Sequence, residues 1–357
     1  MKHSSQSSFI GFVIPLGTRQ IQIEEQLAFG NSQTTLLKGV DKATGEVFGI
    51  KHYDFSRNNR KQVEKRFWRE AQSLFSLSSH PSFLSFSAST CFLDSSFPAG
   101  WIVMELAQGG TLAQLFKLMK RQEERHEKKM PLLTIASFME ALLEGIVRLE
   151  EVEMIHCVLN PEKILLCCPS EAPLQFCSGK TSVLSGKNIR ISGLSNLKTV
   201  PELKSLPPSA NLHGLYAAPE EVSSLEPQKR ALYSLGLILY ELIMGKLPEP
   251  LLDILNDSSP STVKNKALHE VKQRTECFDF PLGQIEVEKE ALLHNFVRGL
   301  TQKDPKKRIS SKAAVNLLNK LKTSLSAESG NNPLAETMHM EFDPSRVAVV
   351  DENIEKK

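Results

Sequence analysis

The spacing of apolar residues changes part-way along the chain. Between about residues 21 and 103 they fall in short runs, Ile21-Gln22-Ile23, Val47-Phe48-Gly49-Ile50 and Trp101-Ile102-Val103, which predict strands. Lys42-Ala43-Thr44-Gly45, between two such runs, predicts a hairpin turn. Over 56–78 the period lengthens: Val63, Phe67, Ala71 and Leu74 share one helical face. Gly109-Gly110 closes the strand-rich part, and after Thr111 the pattern is helical. Ile135, Phe138, Met139, Leu142, Ile146 and Leu149 form one stripe, and 232–244, 286–301 and 310–323 predict further helices. Residues 1–20 are rich in Ser and are expected to fray, 167–187 to form an inserted loop, and the polar segment from 324 to be flexible. A strand-rich first part followed by a helical second part predicts an α+β, two-lobed body.

Composition narrows the function classes. The chain has 357 residues, 41% hydrophobic and 24% charged, enough for a sizeable core. Its 43 Lys and Arg nearly balance 41 Asp and Glu, which argues against a nucleic-acid partner. The most apolar stretch, 231–245, is interrupted by Ser234 and Glu241, so no membrane span or membrane partner is expected. The apolar run 9–16 lacks the small-residue cleavage site of a signal peptide. Six cysteines without Cys-x-x-Cys spacing are expected to be free thiols in a reducing cytoplasm, not a disulfide framework or a metal site. Cys167, Cys168 and Cys177 fit packing better than a redox or metal cluster. The mixed charges of 117–129 fit a solvated helix face.

A series of motifs, in order, resembles a eukaryotic-type protein kinase domain across roughly 21–323. Val47-Phe48-Gly49-Ile50-Lys51 is similar to the strand that carries the phosphate-pairing lysine, and Glu70 to that lysine's helix partner. Val103-Met104-Glu105-Leu106-Ala107-Gln108-Gly109-Gly110 resembles the hinge, with Met104 as gatekeeper. Ala218-Pro219-Glu220 resembles the end of the activation segment, and Arg308 its paired arginine. The resemblance implies a bilobal fold: a small β-rich lobe with one helix (21–103), a hinge (104–110) and a larger, mainly helical lobe (111–323). Leu74, His156 and Leu194 fall at positions that stack between the lobes.

The departures from the family pattern bear on function. His156-Cys157-Val158-Leu159-Asn160-Pro161-Glu162-Lys163 aligns with the catalytic loop. Val158 stands where an aspartate orients the substrate hydroxyl and accepts its proton. Loss of a general base costs about 10²–10⁴ in rate. Asn160 replaces the loop lysine, Lys163 the magnesium-binding asparagine, and Cys157 the arginine that reads a phosphate. Gly193-Leu194-Ser195 stands at the metal-binding triplet, and Gly193 has no carboxylate. No Asp lies between Asp94 and Asp253, so no change of register supplies either aspartate. Phe29, Asn31 and Thr34 occupy the positions of the glycine-rich loop, with Gly30 nearby. Gly49 replaces a small alanine against adenine, and Ala231 an aspartate that braces the catalytic loop.

These departures imply a pseudokinase: no catalytic residue, no metal and no required cofactor, with a protein partner such as an active kinase. The implied nucleotide cleft would be formed by Lys51, Glu70, Met104, Leu106 and Lys163. The Lys51–Glu70 pair serves equally as a phosphate anchor or as a purely structural ion pair. Lys163 would permit ATP to bind without magnesium, or it is a solvated lysine in a disused site. Two alternatives stay open: an atypical kinase or nucleotidyl transferase with a rearranged site, and a nucleotide-gated switch without turnover. Thr199, Ser205 and Ser209 are candidate phosphorylation sites, or simply exposed polar residues of a loop. Met338-His339-Met340-Glu341-Phe342 is a candidate docking segment, or part of a passive tail.

Overall fold

A six-stranded antiparallel sheet is built first along the chain. Its strands are β1 (Val13–Leu16), β2 (Arg19–Phe29), β3 (Thr34–Asp41), β4 (Val47–Asp54), β5 (Phe86–Phe92) and β6 (Ala99–Met104), in the order β1-β2-β3-β4-β6-β5. The computed structural model describes residues 9–29, 33–56, 59–93, 98–123, 130–178, 184–206, 214–220, 226–279 and 287–329. The hairpin between β3 and β4 sits where Lys42-Ala43-Thr44-Gly45 places it. The buried Asp41 carboxylate accepts from the Ala43 amide at 2.8 Å, and Gly45 takes φ +73°.

One face of the sheet buries Ile14, Ile21, Ile23, Leu37, Phe48, Ile50, Trp101 and Val103. The other receives helix α1 (Arg60–Leu77) through Val63, Phe67, Ala71 and Leu74. Gly100 makes this approach possible, since a Cβ there would lie 2.7 Å from the Phe55 and Phe67 rings. The expectation of a frayed 1–20 segment fails from residue 9 onward. Ile14 is completely buried, and β1 pairs with β2 from Val13↔Gln22 to Leu16↔Arg19. The short apolar run behind this strand is a sheet edge.

The rest of the chain is mainly helical. In order it forms α2 (Leu112–Glu123), α3 (Leu132–Glu151), β7 (Met154–Ile155), β8 (Ile164–Leu166), α4 (Ala172–Cys177), β9 (Ile189–Ile191), β10 (Lys198–Thr199) and α5 (Val200–Lys204). Then follow α6 (Arg230–Met244), α7 (Glu249–Asn256), α8 (Ser261–Arg274), α9 (Val287–Leu300) and α10 (Ser311–Ser329). The α3 stripe read from the sequence is buried at every position. Helix α6 is buried on nearly all sides, because it is apolar all round and the other helices pack about it. It ends at Gly245, φ +71°, the left-handed conformation that suits a glycine past a helix end.

Two boundaries differ from expectation. The segment 167–187 is not simply an inserted loop: it contains α4, whose Ala172 and Pro173 are buried. The last helix continues past 324 to Ser329, since Leu325 is still in the core. Residues 330–357 lie outside the described residues, as do Gly30, Asn31 and Ser209. Among the described residues, no single helix is long and apolar enough to cross a membrane. The α6–α7 pair is apolar enough only when taken together, and it bends by 90°.

Candidate functional site

The residues expected to form the cleft lie on β4, β6 and α1 and on the segments after α3. Lys51 on β4 donates from Nζ to both Glu70 oxygens on α1, at 2.8 and 2.7 Å. The Tyr53 hydroxyl, two residues along the same strand, donates to Glu70 Oε2. Burial alone would push the Glu70 carboxyl up. Lys51, by charge and hydrogen bond, and Tyr53 outweigh it, and the carboxyl lies below its ordinary range. The ion pair sequence reasoning named is therefore formed, with Tyr53 as a third member that it missed. The β4 strand period signals that member, because residues two apart share a face.

Met104 ends β6 opposite Gly49, and Leu106 follows it. A Cβ at Gly49 would sit 3.2 Å from the Glu105 carbonyl, so this glycine admits a close approach of the segment after β6. The same segment is tied to β9, where Arg190 donates to both Glu105 carboxylate oxygens at 3.2 and 3.3 Å.

Beneath the cleft, the β8–β9 pairing sets Lys163 against Ser192 and Gly193. The Ser192 amide and hydroxyl both donate to the Lys163 carbonyl, at 2.8 and 3.1 Å. Gly193 has φ +82°, a region that L side chains rarely adopt. A Cβ there would lie 3.0 Å from Lys163 Cδ. The aliphatic stem of Lys163 thus occupies the space into which a side chain at 193 would project, so the two unusual residues form one packing unit. Burial, then the charge of Lys51, pulls the Lys163 ammonium below the ordinary lysine range. Glu162, then Glu70, draw it the other way, so Glu70 is the carboxylate whose charge both ammonium groups feel.

His156 and Leu194 are buried with Leu74, as their stacking positions imply. Burial lowers the His156 imidazole to about 4, so it is neutral at pH 7, and Nε2 donates to the Ser192 carbonyl at 2.9 Å. Cys157 is buried, and burial pushes its thiol up to about 11. Cys167, Cys168 and Cys177 pack against the main core, and burial raises all three thiols. Ala231 is buried on α6 next to Arg230, whose guanidinium donates to the Glu220 carbonyl at 2.8 Å.

Val158 packs against the cluster of Ile155, Cys157 and Leu203. With Asn160, Pro161 and Glu162 it lines a cavity of about 410 Å³, closed by Phe116 and Lys117 of α2, Tyr216, and Glu241 of α6. Glu162, the one acid of the loop, belongs to this lower cavity. The Asn160 side chain accepts from the Glu162 amide at 3.0 Å, so its role is to cap a short turn. Burial raises the Glu241 carboxyl to about 7, and the Tyr216 hydroxyl donates to it.

Two tethers hold the segment after Gly193. Arg69 on α1 donates to the Leu197 carbonyl at 2.7 Å and to both Glu202 oxygens, from Nη1 to Oε2 at 2.9 Å and from Nη2 to Oε1. Thr199 caps α5 by accepting from the Glu202 amide, while Glu202 accepts from the Thr199 amide at 3.0 Å. Sequence reasoning passed over this pair, although Thr199-x-x-Glu202 is a capping-box pattern. The Thr199 hydroxyl is therefore engaged in the cap, and the exposed Ser205 hydroxyl donates to the Glu202 carbonyl at 2.8 Å. Farther on, Glu220 accepts two bonds from the fully buried Arg308, at 3.0 and 2.9 Å. Lys272 of α8, also buried, donates to the Gly214 and Ala217 carbonyls at 2.7 and 2.8 Å.

The family model described as "Protein kinase domain" matches residues 21–318. The chain belongs to the protein kinase domain family. Its β-rich first lobe and helical second lobe are the two parts of a bilobal kinase fold. The kinase domain is similar to serine/threonine-protein kinase ULK4 of Mus musculus, 28% identical over 59% of this chain and 15% of that protein. It is also similar to serine/threonine-protein kinase PEPKR2 of Arabidopsis thaliana, 26% identical over 55% of this chain and 35% of the relative. Serine/threonine-protein kinase PAK mbt of Drosophila melanogaster is 23% identical over 78% and 39%. The chain thus spans well under half the length of these relatives.

Proposed function

We propose that this kinase domain is a pseudokinase: it does not transfer phosphate, and it acts as a protein-binding scaffold or allosteric regulator of an active kinase. The observation that carries the reading is the Lys163–Gly193 unit. Phosphoryl transfer needs carboxylate and amide ligands to hold magnesium over the phosphates, and a base for the acceptor hydroxyl. By the family resemblance, Lys163 and Gly193 stand at the two ligand positions, and the lysine stem packs against the glycine. Val158 has no group that accepts a proton. The framework that shapes the lobes, Lys51–Glu70, Arg69–Glu202 and Glu220–Arg308, is intact. That favours selection for a shape that a partner reads. Six free thiols favour the reducing cytoplasm as the compartment.

A second reading is favoured by the two lysines. Lys51 and Lys163 repel each other, and Glu70 is the carboxylate common to both. An ATP phosphate would relieve that repulsion without a metal, so nucleotide would work as a switch. One experiment separates the readings. Thermal unfolding is followed with ATP, with and without magnesium, for the natural chain, Lys51→Ala and Lys163→Ala, beside a phosphotransfer assay. A ligand bound only to the folded state raises Tm. The scaffold predicts no shift and no turnover. The switch predicts a metal-independent shift that Lys163→Ala abolishes. Magnesium-dependent turnover lost in Lys51→Ala would overturn both and assign an atypical kinase or nucleotidyl transferase.

A further inference from the structure

The outer face of α1 carries a ridge that the cleft does not use. Lys61, Lys65, Trp68, Gln72 and Phe75 follow one another at steps of four, three, four and three, and all are exposed. Trp68 is 45% and Phe75 71% exposed. Two large aromatics one above the other on a helix otherwise so polar are a large apolar exposure for one helix face. The Phe86 ring of the edge strand β5 meets Phe75 edge-on at 6.0 Å and extends the apolar patch. The basic end differs from the rest of α1. Arg60 is paired with Glu64 and Arg69 with Glu202, whereas Lys61 and Lys65 have no carboxylate partner among the described residues. The ridge is therefore a two-part surface, cationic at its start and aromatic toward its end.

We infer that this ridge is the seat of the chain's own C-terminal segment 334–343. That segment reads Leu334-Ala335-Glu336-Thr337-Met338-His339-Met340-Glu341-Phe342-Asp343. It supplies four large apolar side chains and three carboxylates, with no Lys or Arg. This is the complement of a surface of two lysines and two aromatics, and methionines adapt well to aromatic surfaces. Reach permits it. Lys322 of α10 is bonded to Glu140 of α3 at 2.5 Å, and the next α3 residue, Ala141, accepts from Ser82 at 2.6 Å. Ser82 follows Phe75 by seven residues, so the stretch just past the ridge and Lys322 of α10 border adjacent residues of α3. At about 3.3–3.6 Å per residue, the nine residues from 330 to 338 extend about 30 Å. Seated there, the segment would cover the outer face of the helix whose inner face presents Glu70 and whose Arg69 holds Glu202. It would compete with any partner that reads α1.

The two tryptophans make the test direct. Trp101 is buried, so acrylamide quenching of the full chain reports chiefly Trp68, and Trp68→Phe supplies the blank. In the full chain carrying Met338→Ser, Met340→Ser and Phe342→Ser, quenching of Trp68 is expected to rise about two-fold. A synthetic peptide of residues 334–343 added to that variant should restore protection. It should fail to do so when Phe75→Ser or Lys65→Glu is also present. Equal quenching of the natural chain and the tail variant would overturn the proposal. So would protection that disappears on dilution, which would assign the ridge to a second copy of the chain.

Discussion

The upper and lower halves of the region around the catalytic-type loop are held together in different ways. Above, Lys163 and Gly193 carry no carboxylate, and the lysine stem packs against the glycine. Below, Glu220, Arg230, Lys272 and Arg308 keep a buried network with nearly every polar group met. The difference teaches that the two sets of residues answer to different demands. Chemistry needs particular atoms at the phosphates. A fold needs its buried charges paired wherever they lie, because an unpaired one costs several kcal/mol. The upper set can change with little loss of shape once its new members pack together, as Lys163 and Gly193 do. The lower set cannot.

The largest expected effect breaks the lower half. Arg308 is completely buried and also donates to the Gln302 and Lys229 carbonyls, at 3.0 and 2.8 Å. Arg308→Ala takes both short bonds from the buried Glu220 carboxylate and leaves Arg230 at 4.0 Å, and equilibrium denaturation should show a loss of about 3–5 kcal/mol. A loss below about 1 kcal/mol would mean that water or relaxation replaces the pair, and the proposed rigidity of this half would be wrong.

A smaller effect is expected above. Gly193→Ala places a Cβ at φ +82° and against Lys163 Cδ, which should cost about 1–2 kcal/mol. Because the contact is with a flexible side chain, Lys163→Ala should recover part of that cost but not the backbone part. A double-mutant cycle reads the coupling. Zero coupling would show that the two residues do not form one packing unit.

The same contrast governs what was legible in the sequence. Helices α3 and α6 were legible because one or more faces are apolar over several turns, and the Lys51–Glu70 and Glu220–Arg308 pairs because their motifs flank such elements. Strand β1 was hidden: Ser-rich residues precede it, and its burial comes from pairing with β2, a tertiary fact. The α4 turn was hidden because six residues are too few for a period to appear. The lower cavity was not legible at all. It joins residues from α2, the loop at 158–162, Tyr216 and α6, and only the folded chain brings them together. Nor could spacing show that Lys163 fills the room beside Gly193, since the contact depends on the left-handed backbone there.

The smallest effect tests the tether between the halves. Arg69 and Glu202 join α1 to the segment after Gly193, and the arginine, with the Thr199 cap, holds the Glu202 carboxyl down to about 2. The Glu202 side chain is one-third exposed, so solvent screens the pair, and Glu202→Gln should cost only about 0.5–1 kcal/mol at pH 7. The sign of its pH dependence follows from the depressed value. The folded state holds the carboxylate ionised below the ordinary value of 4.5, so the contribution is complete above about pH 4.5. It is lost as the pH falls from there toward 2. The difference in stability between the natural chain and Glu202→Gln should therefore be flat from pH 7 to about 5 and shrink below it. A difference that instead stays flat down to about pH 3 would mean that the carboxyl is not held down in the folded state, with Arg69 a bystander. The mechanical link between the two halves would then have to run through His156 and the Ser192 carbonyl.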